Sequence, residues 1–217
     1  MLKALQVTGR ALALWWRHLG QLTLFNVAWL ALQVPIVTGP PATAAMFVIA
    51  RRVADGELLD LRDGLAAFRQ LWWPAWRWGL VNLVIGVALL GNFAAYQSAP
   101  GWGWAALRAL WTIVGVLWLL LNLFYWPFWL AQADQRLATT ARNSLVLIIK
   151  APLFSLTLLG LCAVLTIAGV LLTLPLAVAL MAWLALIGTL AVDQALRARP
   201  TPTPAPATEA PAEAQAA

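Results

Sequence analysis

Four long stretches of this chain carry no charged residue, and this constrains the fold more than any motif. Between His18 and Arg51 lie 32 such residues, between Arg77 and Arg108 30, between Arg108 and Asp134 25, and between Lys150 and Asp193 42. A helix crosses the hydrocarbon layer of a bilayer in about 20 apolar residues. The second and third runs therefore hold one crossing each. The last holds two, divided at Thr173-Leu174-Pro175. Composition agrees: 63% of residues are hydrophobic and 10% charged, with a mean hydropathy of +0.81. A soluble domain carries about 25% charged residues, and this chain lacks the polar surface to cover a water-soluble globule. An ordinary cytosolic enzyme is excluded, and an integral membrane protein is implied.

The first run holds one span over residues 20–37, followed by Thr38-Gly39-Pro40-Pro41. Proline lacks a backbone donor and disfavours helical geometry in the residue before it, so a break is expected there. The apolar stretch that follows, residues 42–54, is about 20 Å of helix and too short for a full crossing. Charge decides its role. Lys3, Arg10 and Arg17 hold the N-terminus inside, and Arg51, Arg52, Arg62, Arg69 and Arg77 hold the next loop inside as well. The chain must go out and return between the two groups, by a full span and a short or tilted return helix.

The remaining spans are expected at residues 78–97, 109–130, 153–172 and 176–192, with cytoplasmic loops at 55–77 and 131–150. Only Arg108 then falls outside, against thirteen basic residues inside. The fold class is an all-α polytopic transmembrane helix bundle: five full spans, one incomplete return helix and interfacial amphipathic helices. Both termini are cytoplasmic. Tryptophan and tyrosine favour the interface, and Trp15, Trp16, Trp72, Trp73, Trp76, Trp78, Tyr125, Trp126 and Trp129 fall at inner boundaries.

Residues 1–19 read as an interfacial amphipathic helix, with Leu5, Leu12, Trp15, Trp16 and Leu19 as its apolar stripe and Lys3, Arg10 and Arg17 on another face. The alternative, a signal peptide cleaved at Ala42-Thr43-Ala44, would have a basic region far too long. Residues 20–195 form the transmembrane domain, and 196–217 a Pro/Ala-rich tail expected to be disordered and cytoplasmic. A weak internal echo places Leu14-Trp15-Trp16 and Leu71-Trp72-Trp73 before spans, with an amphipathic stretch, residues 141–150, before another. It reads more simply as the way interfacial helices enter membranes than as duplication.

Several segments resemble a known family. They are Phe25-Asn26-Val27-Ala28-Trp29-Leu30, Pro35-Ile36-Val37-Thr38-Gly39-Pro40, Pro41-Ala42-Thr43-Ala44-Ala45-Met46-Phe47 and Arg51-Arg52-Val53-Ala54-Asp55-Gly56-Glu57, then Phe124-Tyr125-Trp126-Pro127. Together they resemble the YesL family of bacterial membrane proteins, also called DUF624, over residues 5–195. Pro41 departs from the usual Gly-Pro-Ala turn. The resemblance implies a bacterial inner-membrane protein with an accessory role beside carbohydrate uptake, and it transfers no catalytic residue.

Chemistry is sparse. His18 sits beside Arg17 and reads as a solvated interfacial side chain. A Ser/His or Cys/His pair is not expected, nor a zinc cluster, nor a phosphate loop, and no cofactor is implied. Cys162 reads as a buried inert thiol. Asp55, Glu57, Asp60 and Asp63 interleave with arginines and read as a salt-bridged helix rather than a cation site. Asn26, Gln33, Asn82, Asn92, Asn122, Thr157 and Thr166 are intramembrane polar residues. Interhelical hydrogen bonding, roughly 0.6–2 kcal/mol each, explains them more simply than a substrate path.

The candidate site is the broken hairpin: Asn26, Trp29, Pro35, Thr38, Gly39, Pro40, Pro41, Ala42, Ala44, Ala45, Arg51 and Arg52. Non-helical backbone at membrane depth needs cover from protein or a cavity, the new helix start would offer free N–H groups to an anion, and the alanines permit close approach. The hairpin is expected either to dock partner transmembrane helices or to form a small ligand niche. Partners are membrane lipid and, by the resemblance, an ABC-type sugar permease, or self-association through transmembrane helices, with no nucleic acid. The leading expectation is a non-enzymatic accessory or regulatory component. The alternative is a transporter or channel with Asn26, Asn82 and Asn122 along its path.

Overall fold

A computed structural model describes residues 1–173 and 178–198. The expected tail beyond residue 198 and the first residues of the last expected span lie outside the described residues. The described residues form nine helices and no strand: α1 Leu2–Arg17, α2 Leu19–Gln33, α3 Gly39–Asp55, α4 Leu61–Gln70, α5 Trp72–Tyr96, α6 Trp102–Ala131, α7 Leu137–Lys150, α8 Pro152–Leu172 and α9 Leu180–Arg197.

Four of these helices, α5, α6, α8 and α9, are long and apolar enough to cross a membrane. The expected first span is shorter than its sequence suggested. It stops at Gln33, so α2 has 15 residues, about 22 Å of helix against a hydrocarbon core of about 30 Å. The break also lies one turn earlier than expected. It spans residues 34–38, where Ile36 takes a φ of 60°, and Gly39, Pro40 and Pro41 form the first turn of α3 instead of interrupting it. The physical reason is that a helix start has no use for the donors proline lacks. Other bounds move outward: α5 begins six residues before the expected 78, and α6 begins seven before the expected 109. Arg77 and Arg108 do not end these helices, because a long basic side chain can reach polar surroundings from within one.

The nine helices form three triplets of one pattern. In each, one helix joins the next through a single residue (His18, Leu71 or Ala151), and a third helix returns. The joints share a bridging backbone conformation, with φ of −111°, −91° and −136°. Four and seven residues past each joint, the side chains are buried: Leu22 and Phe25, Ala75 and Trp78, Ser155 and Leu158. Seven residues before each joint stands a small residue, Ala11, Gly64 or Ser144. A Cβ on Gly64 would fall 2.5 Å from the Phe25 ring, so that position demands smallness.

The packing repeats as well. The return helices α3, α6 and α9 pack against one another, and each also packs against the first two helices of the following triplet: α3 on α4 and α5, α6 on α7 and α8, α9 on α1 and α2. The echo in the sequence is therefore an architectural repeat, although its tryptophan motifs are not in register. Trp15 stands three residues before its joint and Trp72 one after. The interior is unequal: 61% of the apolar window of α9 is buried, against 6% for α5, so α9 and α3 lie at the centre.

The N-terminal helix differs from expectation. α1 buries Ala4, Val7, Ala11 and Trp15 and packs on α9 and α8, while Leu5, Leu12 and Trp16 of the expected stripe stay exposed. The small residues and Trp15 take the close approach to the bundle, and the other large ones face outward. Trp15 meets Trp183 edge-on at 5.1 Å.

α6 and α9 cross closely. Pro127 inside α6 leaves the Leu123 carbonyl without its usual donor. Gly188 of α9 comes against this point: a Cβ there would lie 2.6 Å from the Leu123 oxygen and 3.2 Å from the Pro127 ring. Gly188→Leu should destabilise the protein by about 1–3 kcal/mol through overpacking, read as a fall in the thermal midpoint in detergent. Gly86→Leu, where a Cβ meets nothing within 4 Å, should leave the midpoint within a degree or two of wild type, since surface changes are usually within about 0.5 kcal/mol.

Candidate functional site

The tip of the α2–α3 hairpin is closed by its own hydrogen bonds. A helix start leaves its first N–H groups without partners. In α3 the first is taken up, Gly39 N–H donating to the Ile36 carbonyl at 3.0 Å, Pro40 and Pro41 have none, and Ala42 N–H donates to the Thr38 carbonyl at 3.0 Å. The anion-binding end expected from the sequence is absent, because the two prolines remove the donors that would have formed it. Around the tip, Trp29 Nε1 donates to Thr43 Oγ1 at 3.0 Å, Thr38 Oγ1 to the Leu32 carbonyl, and Trp76 Nε1 to the Val37 carbonyl at 3.1 Å. Pro40 abuts Gly79 of α5, where an added Cβ would meet its ring at 3.0 Å. Pro35 is exposed.

Pro41, Ala42, Ala44 and Ala45 are buried within the protein's own bundle, where α3 packs along α9. They are not presented to a partner helix. Of the two expectations for the hairpin, the geometry that remains is the niche.

That niche is a cavity of about 950 Å³ beside the hairpin tip, at the upper end of the size range of small-molecule pockets. α3 contributes Gly39, Pro40, Thr43 and Phe47. α5 contributes Trp76, Trp78, Gly79 and Asn82, and α6 Asn122 and Trp126. α8 contributes Cys162 and Thr166, and α9 Met181 and Leu184; Gln33 closes one side. Most of its polar groups are engaged. Trp78 Nε1 donates to Asn122 Oδ1 at 3.2 Å, and the amide nitrogens of Asn82 and Asn122 donate to the Trp78 and Trp118 carbonyls. Thr166 donates to the Cys162 carbonyl. Gln33 differs: its Nε2 is enclosed and has no partner. An aromatic cluster backs the wall, with Trp78 stacked on Tyr125 at 3.7 Å and 1° between planes.

Asn26 does not line this cavity. It is fully buried, and its Oδ1 accepts from Met181 N–H at 2.9 Å and Ala182 N–H at 3.1 Å. These are amides of the first turn of α9, so α2 supplies the N-terminal cap of a helix more than 150 positions away in sequence. Of the three asparagines expected along a path, only Asn82 and Asn122 meet at the cavity.

Arg51 and Arg52 stand at the other end of α3, which Gly56 terminates in the left-handed conformation (φ 78°) that its missing Cβ permits. Arg51 pairs with Asp55 at 2.9 Å and with Asp193 of α9; Arg52 pairs with Asp63 of α4 at 2.9 Å and with Glu57 at 3.8 Å. Asp63 also closes a capping box with Asp60 at the start of α4. Asp55, Glu57 and Asp63 are salt-bridged, as the interleaved arginines indicated, while Asp60 serves as the N-cap of α4. Arg108, placed outside by the sequence, donates to the Tyr96 and Ala99 carbonyls and so closes the C-terminal end of α5.

The sequence flagged Asn82, Asn122, Gln33 and Thr166 singly as polar residues in apolar runs, and missed Gly79, Trp76 and Met181 as cavity wall. Gly79 had a signal, a glycine in a span where close packing is cheap, but nothing named its neighbour.

Residues 22–93 match the family described as a protein of unknown function, DUF624. The chain is similar to that family over this segment, and the match brings no activity with it. No curated protein matches the chain, and no solved structure does.

Two outcomes test this account of the site. Asn26→Ala should cost about 1–3 kcal/mol, the penalty for leaving buried amides unpaired, whereas Asn92→Ala, whose exposed amide bonds only its own helix, should cost a few tenths; chemical denaturation in detergent separates them. For the α3–α9 pair, Arg51→Gln and Asp193→Asn should each destabilise. Combined, they should cost less than the sum by about 0.5–3 kcal/mol, since the residues are in contact; a double-mutant cycle reads the difference.

Proposed function

We propose that this DUF624-like protein is a non-enzymatic accessory or regulatory component of the bacterial inner membrane, with both termini cytoplasmic, serving a carbohydrate permease of the ABC type. The observation that carries the reading is how the polar side chains of the bundle are used. Asn26 caps α9, Trp29 ties α2 to α3, Trp78 ties α5 to α6, and Arg51 and Arg52 tie α3 to α9 and α4. Each joins one helix to another, which suits a scaffold. Outward, α5, α6 and α8 offer apolar faces such as Leu90, Ile113 and Val170, surfaces that lipid or a partner's transmembrane helices can cover. The carbohydrate link rests on the family resemblance, and the orientation on the distribution of arginine.

A second reading, a transporter or channel in its own right, is favoured by one observation: Asn82 and Asn122 face one cavity. Affinity purification from native membranes with mass spectrometry, paired with flux assays on the purified protein in vesicles, separates the two. The accessory reading expects permease subunits to co-purify and no sugar flux from the protein alone. Flux without a partner selects the second reading, and turnover of a substrate by the purified protein refutes both.

A further inference from the structure

The cavity beside the hairpin tip opens sideways. Leu83 of α5, Leu119 of α6 and Ile167 of α8 all line it and are 59%, 56% and 59% exposed, and Ile36 of the hairpin turn is 76% exposed. These four side chains continue the outward apolar faces of their helices, the faces that meet lipid tails in a bilayer. The medium that bathes those faces therefore has direct access to the cavity.

The interior selects further. Its walls are mainly aliphatic and aromatic, and the amides of Asn82 and Asn122 are bonded to their own helices. A free sugar would find few groups to replace its water, whereas a hydrocarbon chain needs none. Gln33 Nε2 is enclosed and so offers no donor to the cavity.

We propose that the cavity binds a diacyl phospholipid of the surrounding bilayer. One acyl chain enters between α5, α6 and α8. The proposal is independent of the accessory reading: a lipid can sit here in a scaffold or a transporter alike.

The test is native mass spectrometry of the full chain purified from membranes in mild detergent. Wild type should retain one phospholipid. Ala163→Trp, which fills the cavity wall, should lower retention at least tenfold, and Val164→Trp on the outward face, 64% exposed, should leave it unchanged. Should Ala163→Trp fail to fold, wild type in vesicles containing a phospholipid with a photoactivatable acyl chain gives the same answer: adducts on Cys162 or Thr166 support the site. Adducts confined to outward residues such as Val164 and Leu171 overturn it. So does wild type that retains no lipid, that retains only a lipid without ester groups, or that keeps the same lipid load when Ala163 is Trp.

Discussion

Backbone groups at helix ends dominate this structure, because helices that begin inside an apolar bundle cannot rely on water to satisfy them. The protein meets the requirement in two different ways at its two central helices. At α3, adjacent prolines delete two donors and the preceding turn accepts the donors of Gly39 and Ala42. At α9, a side chain from a distant helix does the work: the Asn26 oxygen takes two amides of the first turn. One solution is local and covalent, the other is tertiary, and each allows a helix to start away from the membrane surface.

Given those starts, close approach organises the rest. The small residues Ala11, Gly64 and Ser144 recur at one position of the three triplets, and Gly188 lets α9 meet the α6 carbonyl that Pro127 leaves without a helical donor. In membranes, contact between helices depends on packing and on interhelical hydrogen bonds more than on expulsion of water. A position that excludes a Cβ therefore says more about architecture than a large apolar residue does. α1 illustrates this: Leu5, Leu12 and Trp16 face outward, and Ala4, Val7 and Ala11 make the contact together with Trp15. The cavity follows from the same geometry. The first hairpin is short, α5 and α6 extend well past it, and the space beside its tip is walled by side chains from six helices.

Much of this was legible in the chain. Uncharged runs located α5, α6, α8 and α9 with bounds off by up to seven residues, because the requirement for about 20 apolar residues acts on composition alone. The arginines at residues 51 and 52 and the acids around them were legible as ion pairs, since opposite charges interleaved over short distances seldom stay apart. The bounds at Arg77 and Arg108 were not, because a charge marks where a helix can reach water and not where it ends. The hairpin break was placed one turn late for a related reason. Proline breaks a helix from within but opens one from its first turn, and which applies depends on where the preceding helix stops.

The sequence alone determined that this is a helical membrane protein with an incomplete return helix after its first apolar segment, since hydropathy, charge and proline placement act locally and need no partner. Only the tertiary structure decided that Asn26 is a helix cap while Asn82 and Asn122 face a cavity, and that the alanines of α3 are interior. Three asparagines in three apolar runs are equivalent until the helices are packed, because a hydrogen bond is assigned by distance in space and not by spacing along the chain.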